Sequence, residues 1–162
     1  MWSVADRKLV RTLTFAGQVF VSALSHDGSR LAIALGTSLK LLDPWTGSVL
    51  REVSGVAPFQ MSFDPTGSRL CVLSEDGMLS VRETATLERA FEVAANSGPP
   101  RWPGRLAGGA WSRDGTRILT LAVDGRVQLW DARNGTLMRE ARGSSQFYNE
   151  ATFAPDGETV FL

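Results

Sequence analysis

The chain repeats itself, and the repeat limits its fold more tightly than any other feature. Ser25-His26-Asp27-Gly28-Ser29-Arg30 leads into the apolar run Leu31 to Leu35. Phe63-Asp64-Pro65-Thr66-Gly67-Ser68-Arg69 leads into Leu70 to Leu73, and Ser112-Arg113-Asp114-Gly115-Thr116-Arg117 into Ile118 to Leu121. A fourth copy opens at Ala154-Pro155-Asp156-Gly157-Glu158-Thr159 and reaches Leu162. The turn glycines Gly28, Gly67, Gly115 and Gly157 are 39, 48 and 42 residues apart. A second column keeps the same register, with Trp2, Leu42, Arg82 and Trp130 at intervals of 40, 40 and 48. Five residues beyond each stands Arg7, Gly47, Leu87 or Gly135. A period of roughly 20–50 residues marks stacked supersecondary units, each burying its apolar face against its neighbour.

Within a unit the pattern is that of a four-stranded antiparallel meander. The Asp-Gly and Thr-Gly pairs supply the positive φ of tight hairpins. The second strand, as in Leu31 to Leu35 or Ile118 to Val123, is almost wholly apolar. Such runs suit strands covered on both faces, as when sheet stacks on sheet. The third alternates, as in Val127-Gln128-Leu129-Trp130 and Leu79-Ser80-Val81-Arg82. The fourth is the most charged, as in Leu50-Arg51-Glu52-Val53, and suits an outer edge facing water. No segment carries a helical period. The expected fold is all-β.

Asp124-Gly125-Arg126-Val127-Gln128-Leu129-Trp130-Asp131, followed by Asn134-Gly135, resembles a WD repeat. The resemblance covers essentially the whole chain, with Leu42-Asp43 and Arg82-Glu83 in place of Trp-Asp in the first two units. It implies a β-propeller of four-stranded antiparallel blades around a central channel. In that family a buried network often joins a Gly-His pair to a Ser or Thr, the turn Asp and the Trp. Thr120, Asp124 and Trp130 match the last three positions, and Asp131 completes the Trp-Asp pair. The chain has no Gly-His pair, and its only histidine, His26, falls in the first hairpin turn, so the implied network is partial. A relative built on Ser-Pro-Asp-Gly turns, as in some bacterial propellers, stays open.

The strand count predicts the end of a blade in residues 1–14 and full blades in 18–55, 56–93 and 105–144. Residues 146–162 supply the first two strands of another. Propellers close with about 4 to 8 blades. The chain therefore reads as an incomplete propeller or as a four-bladed ring whose two half-blades share a blade. An incomplete propeller is either part of a longer ring or one completed by a second copy.

Lys plus Arg equals Asp plus Glu, 17 against 17, which argues against nucleic acid as a partner. Asp6, Arg7, Lys8 and Arg11 interrupt any signal-peptide core, and no stretch reaches the ~20 apolar residues of a membrane span. The expectation is a cytoplasmic protein that engages neither nucleic acid nor membrane. One histidine and one cysteine do not make a zinc site of the usual composition, and no glycine pattern cradles a phosphate. No metal or cofactor is expected. Cys71, inside Leu70-Cys71-Val72-Leu73, reads as a buried thiol.

Ser25, His26 and Asp27 offer the residue types of a hydrolytic triad, but neighbours on a hairpin leave no imidazole between nucleophile and carboxylate. Asp27, Asp114 and Asp156 follow the repeat and read as turn residues. The insertion from Ala94 to Leu106 differs from the other connections. It sets Arg101, Trp102 and Arg105 among Pro and Gly, a composition favoured at interface hot spots. In WD-repeat propellers such connections lie on the face that commonly receives partners, which the resemblance extends to Phe147 and Tyr148. Trp102 either contacts a partner there or folds back over the adjoining blades. Trp45, after a third strand, belongs to the opposite face. The function expected is a non-catalytic scaffold that displays loops to a protein or peptide. The alternative is a propeller hydrolase or dehydrogenase with polar groups lining its channel. The inner strands, Phe20 to Leu24, Gln60 to Phe63 and Gly109 to Trp111, carry no ionisable group for that task.

Overall fold

Tight turns at each repeat glycine fold the chain back on itself roughly every ten residues, so strands pair with their sequence neighbours. The structure, a computed structural model, describes residues 2–3, 5–95, 106–143 and 151–161. Their strands are β1 (Trp2–Ser3), β2 (Lys8–Leu9), β3 (Val19–Leu24), β4 (Leu31–Leu35), β5 (Ser38–Leu42) and β6 (Val49–Ser54). There follow β7 (Pro58–Phe63), β8 (Arg69–Ser74), β9 (Met78–Glu83), β10 (Arg89–Ala94) and β11 (Leu106–Trp111). The series ends with β12 (Arg117–Ala122), β13 (Arg126–Asp131), β14 (Leu137–Arg142), β15 (Thr152–Phe153) and β16 (Val160–Phe161). Three antiparallel sheets, β3-β4-β5-β6, β7-β8-β9-β10 and β11-β12-β13-β14, are complete blades. β1–β2 and β15–β16 are separate two-stranded sheets rather than one shared blade, so the described residues form an open, partial propeller and not a four-bladed ring.

The core lies between the blades, which explains the apolar second strands. In β8, Leu70 and Val72 pack toward the first blade with Ala32, Leu39 and Leu41. Cys71 and Leu73 point the other way and join Leu106, Ile118 and Trp130 of the third blade. A strand whose two faces both meet another sheet can alternate only between apolar and apolar. The same sandwiching removes the alternation expected of β9, where Ser80 and Arg82 are buried along with Leu79 and Val81. The outer strands behave as expected of an edge, and all six residues of β14 are exposed.

The hairpin turns keep one hydrogen-bond scheme while exchanging the residues that make it. In the first and third blades Ser25 Oγ and Ser112 Oγ accept from the amides of Arg30 and Arg117, each at 2.9 Å. Both hydroxyls donate to the turn aspartates, Asp27 and Asp114, at 2.6 Å. In the second blade hydroxyl and carboxylate trade places. Asp64 Oδ1 accepts from Arg69 N at 2.8 Å, and Thr66 Oγ1 donates to Asp64 Oδ2 at 2.6 Å.

The next turn demands a left-handed residue whether or not the chain supplies glycine. Gly47, Leu87 and Gly135 lie at φ 78, 62 and 74, and Arg7 of the first half-blade at φ 53. The amides of the first three donate to the carbonyls of Asp43, Glu83 and Asp131. That shared bond fixes the conformation and overrides the preference of leucine for negative φ.

In each of the three complete blades an arginine at or just before the second strand reaches the following blade. Arg30 Nη1 donates to Thr84 Oγ1, Arg69 Nη1 to the carbonyl of Ala132 at 2.9 Å, and Arg117 Nη1 to that of Gly157 at 3.3 Å. These periodic contacts set each sheet against the next.

Candidate functional site

The first strand of each blade is its innermost, so β3, β7 and β11 together wall a concave groove. Its volume is ≈ 790 Å³, and Ser22, Ala23, Met61, Ser62, Gly109, Ala110 and Trp111 line it. A smaller groove of ≈ 340 Å³ shares Gly109 and Ala110 and continues past Gln60 to Ala151 and Thr152. Two side-chain bonds hold the second and third blades together along this wall. Gln60 Nε2 donates to Gly109 O at 3.0 Å, and Trp111 Nε1 donates back to Ser62 O at 3.0 Å. A Cβ on Gly109 would lie 2.9 Å from both Leu119 O and a methyl of Leu73, so the strand has no room there for a larger residue.

The groove floor is neutral, and the charge sits at the end made by the hairpin turns. His26 and Arg113 line that end and are exposed, whereas Asp64 there is buried and occupied by its own turn. The carboxyls of Asp27 and Asp114 are held down at about 2, first by the hydroxyls of Ser25 and Ser112 and then by the amides of Ser29 and Thr116. Ser25 thus bonds Asp27 directly, with no imidazole between them, and the triad arrangement does not form. Burial pushes the Cys71 thiol up to about 12, far from the thiolate that nucleophilic chemistry needs. Among the described residues no three His, Cys, Asp or Glu side chains cluster as metal ligands.

Of the four repeat residues singled out from sequence, the structure joins two. Trp130 Nε1 donates to Thr120 Oγ1 at 2.9 Å, with both residues buried. Asp124 turns instead to Arg126 and Arg142, 3.4 and 3.3 Å from their guanidinium nitrogens. Asp131 caps the next turn through Arg133 N at 2.7 Å. Arg82 fills the tryptophan position of the second blade and donates to Leu87 O at 2.8 Å. Burial lowers its pKa, with the neighbouring Arg89 acting in the same direction. Its counterpart to Thr120 is Val72, which offers no hydroxyl. Arg101, Trp102, Arg105, Phe147 and Tyr148 lie outside the described residues. Trp45 is 59% exposed, its carbonyl taken by Arg11. The grooved wall itself was legible only as a lack of charge on the inner strands.

No protein-family model matches the chain. Autophagy-related protein 16 of Arabidopsis thaliana is 27% identical over 146 residues, 85% of this chain and 27% of the plant protein. Cilia- and flagella-associated protein 57 of Mus musculus is 19% identical across 99% of this chain and 12% of its own length. The chain thus spans about a quarter or less of these curated relatives. Among solved structures, the Cps50 (Swd1) β-propeller domain of Myceliophteria thermophila superposes with a TM-score of 0.76 at 16% identity. That match covers 98% of this chain and 53% of the fungal domain, and it bears out the β-propeller fold.

Proposed function

We propose that this open arc of WD-type propeller blades is a non-catalytic scaffold that docks a protein or peptide in the cytoplasm. The observation that carries the reading is the long groove whose floor, formed by β3, β7 and β11, bears no ionisable side chain. Stacked cores, arginine clamps and the Gln60 and Trp111 bonds hold that wall in shape, so little conformational entropy is lost when a partner binds. The insertion with Arg101, Trp102 and Arg105, together with Phe147 and Tyr148, is proposed as a further contact region for the partner. A hydrolase or dehydrogenase would need acids, bases or nucleophiles converging on the inner strands, and these strands offer hydroxyls, the Gln60 amide and apolar groups instead.

The test is chemical cross-linking of the tagged chain in cells, mass spectrometry, and reconstitution with each purified candidate. A saturable complex at micromolar or tighter affinity, with cross-links at the groove or the 96–105 segment, is expected. Turnover by the purified chain, or failure of every candidate to bind saturably, would overturn the scaffold reading.

A further inference from the structure

A cleft of ≈ 450 Å³ opens between the first and second blades, away from the inner strands. Val53 and Ser54 of β6 form one wall, and Ser80, Arg82, Arg89 and Glu92 of β9 and β10 form the other. In the other complete blades a polar pair crosses the equivalent wall. Lys40 Nζ lies 3.2 Å from Glu52 in the first, and Gln128 Nε2 donates to Glu140 at 2.7 Å in the third. In the second blade the same register sets the short Ser80 opposite Glu92, which pairs with Arg89 instead. Arg82 stands where the first blade has Leu42 and the third Trp130.

That exchange leaves Arg82 as a buried cation with no carboxylate of its own. It is 6% exposed. Its only side-chain hydrogen bond among the described residues runs from Nη1 to the neutral carbonyl of Leu87, at 2.8 Å. Its Nε is buried without a partner, and the side chain enters no ion pair among the described residues. A buried charge is costly unless an opposite charge meets it. Glu92 acts on Arg82 but is held by Arg89, so two guanidiniums stand against one carboxylate, a net charge of +1. The other carboxylates of the cleft, Glu75 and Asp76, are exposed on the β8–β9 turn. Met78, just past that turn, is four residues and about 13 Å of strand from Arg82, beyond a Debye length at physiological salt.

We propose that this cleft binds a small oxyanion, a carboxylate or phosphate group, on the guanidinium of Arg82. The inference stands apart from the scaffold reading, because no inner strand contributes to the cleft. Its volume falls within the range of about 300–1,000 Å³ typical of small-molecule sites. The guanidinium nitrogens that Leu87 leaves unbound offer paired donors spaced to match two oxygens of such a group. Arg89 adds charge at the rim, and Ser80 lines the same wall two residues from Arg82.

The test is an NMR titration of the 15N-labelled full chain with sodium phosphate and, separately, sodium malonate, each replacing chloride at constant ionic strength. Saturable shifts of the Arg82 Nε–H and of the Ser80 and Glu92 amides are expected, with Kd in the millimolar range or tighter. Saturation by phosphate alone or malonate alone assigns the group, and saturation by both assigns any oxyanion. Arg82→Leu installs the residue of the first blade, so it should fold and weaken binding at least tenfold. Arg82→Lys keeps the charge without the fork and should weaken it severalfold. Ser80→Gln installs the residue of the third blade, and by reaching Glu92 it should close the cleft and weaken binding at least tenfold with Arg82 intact. Arg139→Ala, on the exposed outer strand, should have no effect. Shifts that grow linearly with both anions, or binding unchanged in Arg82→Leu or in Ser80→Gln, would overturn the proposal.

Discussion

Replacing Gly135 by alanine tests whether the blades are stacked as tightly as the interlocking cores imply. Gly135 lies at φ 74, and a Cβ there would sit 2.5 and 2.8 Å from ring atoms of Phe91 and 3.0 Å from Val93 Cγ1, both on the outer strand of the preceding blade. Two costs add. The left-handed backbone disfavours any L side chain by about 1–2 kcal/mol, part of which is returned by the lower entropy of the unfolded chain. Overpacking against a half-buried ring adds about 1–3 kcal/mol. Gly28→Ala separates the two, because Gly28 has φ +69 but nothing within 4 Å of its Cβ position. Urea titration should place Gly28→Ala about 1 kcal/mol below wild type and Gly135→Ala about 2–4 kcal/mol below. For a chain of 162 residues the larger loss lowers Tm by roughly 5–15 °C. Combining Gly135→Ala with Phe91→Leu should recover at least about 0.5 kcal/mol relative to additivity, since the ring is the obstacle. Equal costs for Gly28→Ala and Gly135→Ala would refute the argument, because they would mean that Phe91 moves aside freely.

Three further outcomes follow from the hydrogen-bond geometry. Trp130→Phe removes the donor to the buried Thr120 hydroxyl and should cost about 1–3 kcal/mol by chemical denaturation, with Thr120→Val restoring part of the loss in the double variant. Arg69→Met removes the bond to Ala132 and the partly exposed pair with Glu83. It should cost about 1 kcal/mol or less and speed amide exchange at the boundary of the second and third blades, but not within the first. Asp27 and Asp114 have folded pKa values near 2 against an ordinary 3.8, so the stability they contribute is present above 3.8 and is lost as pH falls toward 2. Asp27→Asn should flatten the acid limb of a stability–pH curve in that window, and an unaltered limb would refute the turn geometry.

Sequence revealed most where one residue type answers one local demand. The repeat period, the hairpin turns at Asp27, Asp114 and Asp156 and the doubly covered second strands all read directly, because φ and burial dictate those residues. It revealed less where the fold demands a conformation and accepts several residues for it. Arg7 and Leu87 occupy the left-handed position that Gly47 and Gly135 mark openly, and nothing in leucine announces positive φ. The exchange of serine and aspartate between Ser25 and Asp64 conceals a conserved hydrogen-bond scheme behind a changed pair of letters. Arg30, Arg69 and Arg117 were visible as a column, but their reach to the next blade depends on how sheets stack, which no single repeat encodes. Asp124 aligns with a network position and yet pairs with Arg126 and Arg142, because two arginines within 3.4 Å compete successfully for its carboxylate.

The same reasoning separates fold from function in this chain. A period fixes the blades, so every blade contributes the same kind of evidence and the inference strengthens with each copy. A docking site is made where the copies differ, and there each difference stands alone. The groove end has His26 in the first turn, Pro65 in the second and Arg113 in the third, all at one repeat position. A turn tolerates each of the three, so none is required by the fold, and the position is free to be chosen by a partner. Arg113→Ala, at an exposed turn position, leaves stability untouched, whereas Gly135→Ala lowers it, so that pair of variants distinguishes a residue the blade requires from one it merely tolerates.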